Sequence, residues 1–246
     1  LRSKRPKLIA LLIDNPSQSY TQSVQLGALL GCQKHGLYLN LHTQSDKPTL
    51  TSLAENRETI GFILAPPISD NETVLKTLSK LGKPVIRLGT EHPQANGTRI
   101  SVDDKQAAFE ITEHLIKLGH NDIGFIKGHV DYDAASHRLL GYKEAHAAHD
   151  LKTKDDLIIQ GDFSYASGLE STEALLALAQ KPTAIFASND EMAAGALAAA
   201  YKKGIRVPDA LSIAGFDDSP IATAVYPQLT TVRQSLSDMV EKAVEL

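Results

Sequence analysis

The chain has 246 residues, 42% of them hydrophobic and 22% charged, enough to bury one large or two small cores. A net charge of -4, with "RSKR" near the start as the only basic cluster, excludes a grip on nucleic acid by these residues through phosphate neutralisation. The single cysteine, Cys32, excludes an internal disulfide or a cysteine-built zinc site and fits a reducing compartment, and no apolar run reaches the roughly 20 residues that span a bilayer. A soluble, cytoplasmic protein is expected. The chain starts on Leu1 and stops inside the helical pattern "MVEKAVEL", which reads as part of a longer protein.

In chain order, short β-rich runs alternate with helical patterns. "KLIALLI" precedes a helix over 19 to 35; "LYLNLH" and "TIGFILA" follow, then a helix over 70 to 81 and "KPVIRL". After "RISV" come a helix over 103 to 118, "DIGFIK", a helix over 133 to 149, and "DLIIQG". Helices over 164 to 180 and 189 to 203 then bracket "TAIFAS", and "LSIAGF" closes the series. This alternation implies βαβ units, an α/β chain of doubly wound parallel sheets, and the nearly continuous apolar character of the strands agrees. Gly36, Gly82, Gly119 and Gly204 each fall just past a helical pattern, where a left-handed C-cap is expected. Ten or more strands strain one open sheet, and "GTEHPQANGTRISVDD" breaks the rhythm, so the chain is expected to cross between two domains near Ser101 to Asp103.

Ligands of open parallel sheets bind beyond the carboxyl ends of the strands, and the segments there are polar: "DNPSQSY", "GHVDYDAASHR", "GDFSYASG", "SND" and "DDSP". Carboxylates and amides that take hydroxyl hydrogen bonds, an arginine fork and aromatic faces suit a polyhydroxylated ligand better than a phosphate. Local structure also explains several of them. Asn189 or Asp190 makes a good N-cap; we expect Asp190 to secure the helix and Asn189 to face the ligand. Asp217 and Asp218 suit a turn, Arg138 suits a helix surface, and Phe163 and Tyr165 suit packing. His114 and His120 near a helix end are expected to meet its last carbonyls instead of a metal.

Nucleophile-elbow, P-loop, zinc-protease and dinucleotide fingerprints are all missing from the sequence. Asp14, Asp190 and Asp217 could furnish an acid pair for glycoside hydrolysis, but the mixture of amides and arginine points to binding without catalysis. No catalytic residue, metal or cofactor is expected.

The chain resembles the effector-binding core of LacI-type bacterial transcription repressors, which shares its fold with periplasmic sugar-binding proteins. The resemblance runs almost throughout, on "LRSKRPKLIALLIDNPSQSY", "GLYLNLHT", "ISVDDKQAAFEITEHLIKLGHNDIGFIKG", "RLLGYKEA", "AIFASNDEMAAGALAAAYKKGIRVPDALSIAGFDDSP" and "PQLTTVRQ" in that order. It implies two subdomains around a sugar-sized cleft, 7–101 plus 232–246 and 104–229, with 1–6 ending a hinge to a helix-turn-helix headpiece. By matching motifs, effector contacts fall on Asp14, Tyr20, Arg138, Phe163, Asn189, Asp217, Gln234 and Leu236. Where a lactose-responsive relative carries polar residues after two strands, this chain has Ala65 and Gly89. The resemblance further implies a homodimer built on the helices at 19 to 35 and 70 to 81, operator binding by paired headpieces, and effector control of that binding. A periplasmic sugar-binding protein feeding a transporter is the alternative, which "LRSKRP" and "VPDALSIAGFDD" disfavour.

Overall fold

A computed structural model describes residues 5–43, 47–90 and 97–246. The "LRSK" expected to lead into a hinge, and the "EHPQAN" of the turn-rich stretch, lie outside those residues. The chain begins with β1 (Leu8–Leu12), α1 (Gln18–Lys34), β2 (Tyr38–His42), α2 (Lys47–Glu55), β3 (Thr59–Leu64), α3 (Glu72–Ser79), β4 (Val85–Leu88) and β5 (Thr98–Ile100). It continues through α4 (Asp104–Lys117), β6 (Ile123–Lys127), α5 (Asp133–Ala148), β7 (Ile158–Gln160), α6 (Tyr165–Leu175), β8 (Ala184–Ala187) and α7 (Asp190–Lys202). β9 (Ser212–Asp217), α8 (Pro220–Ala224), β10 (Thr230–Arg233) and α9 (Leu236–Glu245) complete it.

These elements form two compact units, Leu1–Val102 with Ser235–Leu246, and Asp103–Gln234. The first has a five-stranded sheet in the order β2-β1-β3-β4-β5, the second one in the order β10-β9-β8-β6-β7. Every strand pairing is parallel. Counted within its own unit, each sheet has the order 2-1-3-4-5, so each reverses direction once, between β1 and β3 in the first and between β6 and β8 in the second. Those reversals open crevices at the carboxyl ends of the strands.

Burial explains the strand sequences. All four residues of β8, "AIFA", are buried, with β6 and β9 on its two sides. On the first sheet, Leu11 and Ile63 pack beneath α1 and α9, while Leu12 and Leu64 face the other way onto Leu50, Leu53 and Val74. Such two-sided burial, at roughly 1.5–3 kcal/mol per large aliphatic side chain, demands apolar residues at successive positions instead of alternating ones. Helix α2, like α8 and β10, is an element the sequence did not announce. Its Leu50, Leu53 and Ala54 are buried at helical spacing, but over one and a half turns that pattern is too short to read without its partners on β3 and α3.

Gly36, Gly82, Gly119 and Gly204 all have positive φ, as expected of residues that follow a helix end. A Cβ at any of them would meet nothing within 4 Å, so backbone conformation and not crowding selects glycine there. Among the described residues, no helix is long and apolar enough to cross a membrane.

Candidate functional site

The second unit gathers its polar side chains at the carboxyl edge of the sheet. Arg138 lies in α5 and is buried, at 5% exposure, despite the surface position its helix would suggest. Its Nε donates to Oδ1 of Asp104 at 2.7 Å, and Nη1 donates to the carbonyl of Ser188, just past β8. The guanidinium carbon sits 3.7 Å from the centre of the Phe216 ring and 6.0 Å from that of Phe163. A planar, weakly hydrated cation suits this combination of carboxylate, carbonyl and ring face, where lysine could serve one at a time.

Asp217 ends β9, with its Oδ1 3.9 Å from Nη1 of Arg138. The side-chain amide of Gln234, directly after β10, donates to that oxygen at 2.8 Å. Strand pairing sets Arg233 beside Asp217, which brings Gln234 into reach. Burial pushes the Asp217 carboxyl up to about 8; Arg138 offsets this in part, while Asp190, Asp104 and Glu191 add to the rise. The best donor of Arg138 is already engaged by Asp104, which leaves Asp217 the less compensated carboxylate.

The cap of α7 falls on Asn189 and not, as expected, on Asp190. Asn189 is the N-cap of α7: its Oδ1 accepts from the Met192 amide at 3.0 Å, while its Nδ2 donates to the Phe163 carbonyl at 2.9 Å. Asp190 is fully buried and accepts from the backbone and hydroxyl of Ser219, at 2.7 and 3.0 Å, and from the Thr231 hydroxyl. The first residue of the pair has the extended backbone a cap requires, φ -154° and ψ 170°, whereas the second is already helical and points its carboxylate into the sheet. Burial raises the Asp190 carboxyl, against the pull of its Thr231 and Ser219 donors.

Phe163 is buried and meets Tyr132 edge-on, with ring centres 5.4 Å apart. Gly128 makes room for it: a Cβ there would lie 2.0 Å from the ring tip. Phe163, Asp217 and Asp218 have φ of 73°, 116° and 53°, three of the four positive values at non-glycine residues among those described. Such conformations cost about 1–3 kcal/mol each and persist where surrounding structure enforces them, commonly at ligand sites. The second unit therefore links Arg138, Phe163, Asn189, Asp217 and Gln234 through one set of contacts.

In the first unit, Asp14 follows β1 and is exposed, Tyr20 lies half-buried in the first turn of α1, and Leu236 is the buried first residue of α9. Ser17 caps α1 by accepting from the Tyr20 amide at 3.2 Å, which fixes where that ring starts. Gly89 has φ of 61°, and a Cβ there would come within 2.9 Å of Pro66 and 3.8 Å of the Tyr20 hydroxyl. A larger polar side chain has no room at 89. Polar contacts near the ends of β3 and β4 belong instead to Arg87, 1% exposed, whose Nε donates to the Ser69 carbonyl at 2.7 Å and whose Nη2 donates to Asp70 at 2.6 Å.

Sequence reasoning missed Asp104, Tyr132 and Ser188, which hold Arg138 and Phe163 in place. The one available signal was the doubled carboxylate "DD" at 103 and 104: Asp103 caps α4 by accepting from Gln106 at 2.8 Å, which frees Asp104 for Arg138. His120 was also misplaced. Its ring bridges the Thr183 and Ser212 hydroxyls at 2.9 and 3.0 Å, beside the starts of β8 and β9, because the chain has already turned away from α4 at Gly119.

Residues 112–246 match the periplasmic binding protein-like domain family. The chain is 31% identical to Catabolite control protein A of Priestia megaterium, over 100% of this chain and 75% of that protein. A LacI-family regulatory protein from Chloroflexus aggregans superposes with a TM-score of 0.85 at 26% identity, covering 97% of this chain and 88% of the other. The transcriptional regulator CelR, solved as a cellobiose complex, gives a TM-score of 0.87 at 26% identity over 100% of this chain and 78% of its own.

Proposed function

Because this chain belongs to the LacI family of transcription regulators, we propose that it is the effector-sensing core of such a regulator, binding a small sugar and thereby altering operator affinity. The observation that carries this reading is Arg138, buried and held by Asp104 and Ser188 so that its fork adjoins Phe163 and Asp217, the latter bonded in turn by Gln234. Fixed donors and acceptors beside an aromatic face are what a polyhydroxylated ring needs. Asn189 joins them through Phe163, and Asp14, Tyr20 and Leu236 of the first unit are proposed to add contacts to the same effector. The cellobiose held by CelR supports a sugar.

Operator DNA is proposed to be bound by a helix-turn-helix segment outside these 246 residues, in a cytoplasmic homodimer whose paired segments read two half-sites. The dimer is supported by α1, which exposes Leu26, Leu29 and Leu30, and by the edge strand β2, which exposes Tyr38 and Leu41. No catalytic step is assigned to the site.

Thermal unfolding against a panel of sugars tests the binding claim. A ligand at 100 times its dissociation constant adds about 2.7 kcal/mol to stability. Arg138→Lys should abolish the rise in melting temperature while the variant stays folded; an undiminished rise would refute the assignment.

A further inference from the structure

The charges around Asp217 restrict what this site can accept. Asp104 at the start of α4, Asp190 and Glu191 at the start of α7, and Asp217 on β9 are all buried, and Asp104, Asp190 and Glu191 each act on Asp217. Arg138 supplies the guanidinium, with Nε committed to Asp104 and Nη1 to the Ser188 carbonyl. Around them the same edge carries His129, Asp131, Asp133 and His137 before or within α5, and Asp162 after β7. Arg233 of β10 is paired with Asp218, and Lys127 at the end of β6 adds one cation to the edge, which leaves the negative excess in place.

We propose that this site accepts an effector only if it carries no net negative charge, and that the effector binds with a proton on Asp217, so that ionising Asp217 releases it. The proposal rests on the reading of this edge as the effector site. A phosphate or carboxylate on the ligand would meet buried carboxylates and a guanidinium that already serves Asp104. A neutral, hydroxyl-rich ligand meets complementary groups. Protonated Asp217 can accept the Gln234 amide and still donate its O–H to a ligand oxygen, whereas the carboxylate can only accept. A ligand seated there also displaces water, which makes an ionised Asp217 harder to sustain in the complex than in the free protein.

Linkage then sets the direction: the complex holds the proton more tightly, so affinity falls as the pH passes the point where the free carboxyl ionises, about 8. The test is calorimetric titration of the protein, from about pH 6 to about pH 9.5, with glucose, ribose and cellobiose and with glucose 6-phosphate, ribose 5-phosphate and glucuronate. Neutral sugars alone should bind, with affinity falling up to about tenfold per pH unit in the alkaline range. In Asp217→Asn, whatever affinity persists should be flat over that range. Tight binding of an anionic sugar, or wild-type affinity that holds or rises into the alkaline range, would overturn the proposal. Carboxyl-carbon NMR of the free protein, with Asp217→Asn to assign the signal, provides a readout that needs no ligand. A signal titrating in the ordinary carboxylate range overturns the proposal even if no sugar in the panel binds. Absence of any sugar response, with the signal titrating near 8, supports the proton on Asp217 and instead counts against the sugar reading.

Discussion

Arg138 and Asp104 stand 34 residues apart in sequence and 2.7 Å apart in space. That pair turns a helix-surface arginine into a buried, oriented fork. Removing the carboxylate leaves a buried cation without its main partner, a change that typically costs about 3–5 kcal/mol. Asp104→Ala should therefore lower unfolding free energy by that order and abolish effector binding, although Asp104 itself is not assigned to the effector. Chemical denaturation together with sugar titration checks both. A variant as stable as the parent would show that the pair does not hold the site.

Asn189 has two separable duties. Asn189→Ala removes the cap of α7, worth about 1–2 kcal/mol, and leaves the Phe163 carbonyl without its amide. Asn189→Ser should restore most of the cap but not the hold on Phe163. The serine variant is thus predicted to recover stability while still binding effector more weakly than the parent. Equal recovery of both properties would contradict this division.

Phe163 depends on what residue 128 lacks. In Gly128→Ala the new methyl would overlap the ring by more than an ångström relative to ordinary contact, and the ring is braced by Tyr132. Destabilisation by about 1–3 kcal/mol is expected, accompanied by weaker effector binding. Full effector affinity in this variant would show that the ring position does not matter.

Titration of buried groups gives stability a pH dependence of known sign. For Asp217, raised from 3.8 to about 8, the fold holds a proton that the unfolded chain has lost. Its contribution is present below the ordinary carboxylate range and is lost as pH rises through about 8. His146 and His120 are lowered by burial, so the fold resists protons the unfolded chain accepts, and stability falls as pH drops below 6.5. Relative to Asp217→Asn, the parent should lose on the order of a few kcal/mol between acid and mildly alkaline pH. Parallel stability curves for the two proteins would exclude a raised Asp217.

Most strands and helices were legible, the central strands because burial on both faces leaves a continuous apolar signal, and glycines mark where helices end. The residues that follow the strands were legible for the same topological reason. Partnerships were not. Nothing near Arg138 in sequence names Asp104, since the two meet only when α4 packs on α5, and nothing in "SND" tells which polar residue caps. In both "DD" at 103 and "ND" at 189 the structure gives one answer: the first residue lies just outside the helix and caps it, and the second is buried and binds inward. Local propensity ranks Asn and Asp nearly alike at a cap, so the order follows from backbone position and not from residue type.

The central claim is that effector occupancy and operator binding are coupled. Operator affinity of the full-length protein should be measured with and without a saturating concentration of the sugar that stabilises it most. A change of roughly 5- to 150-fold is predicted, with operator altering sugar affinity by the same factor. Operator affinity that is identical in the two conditions would contradict the account.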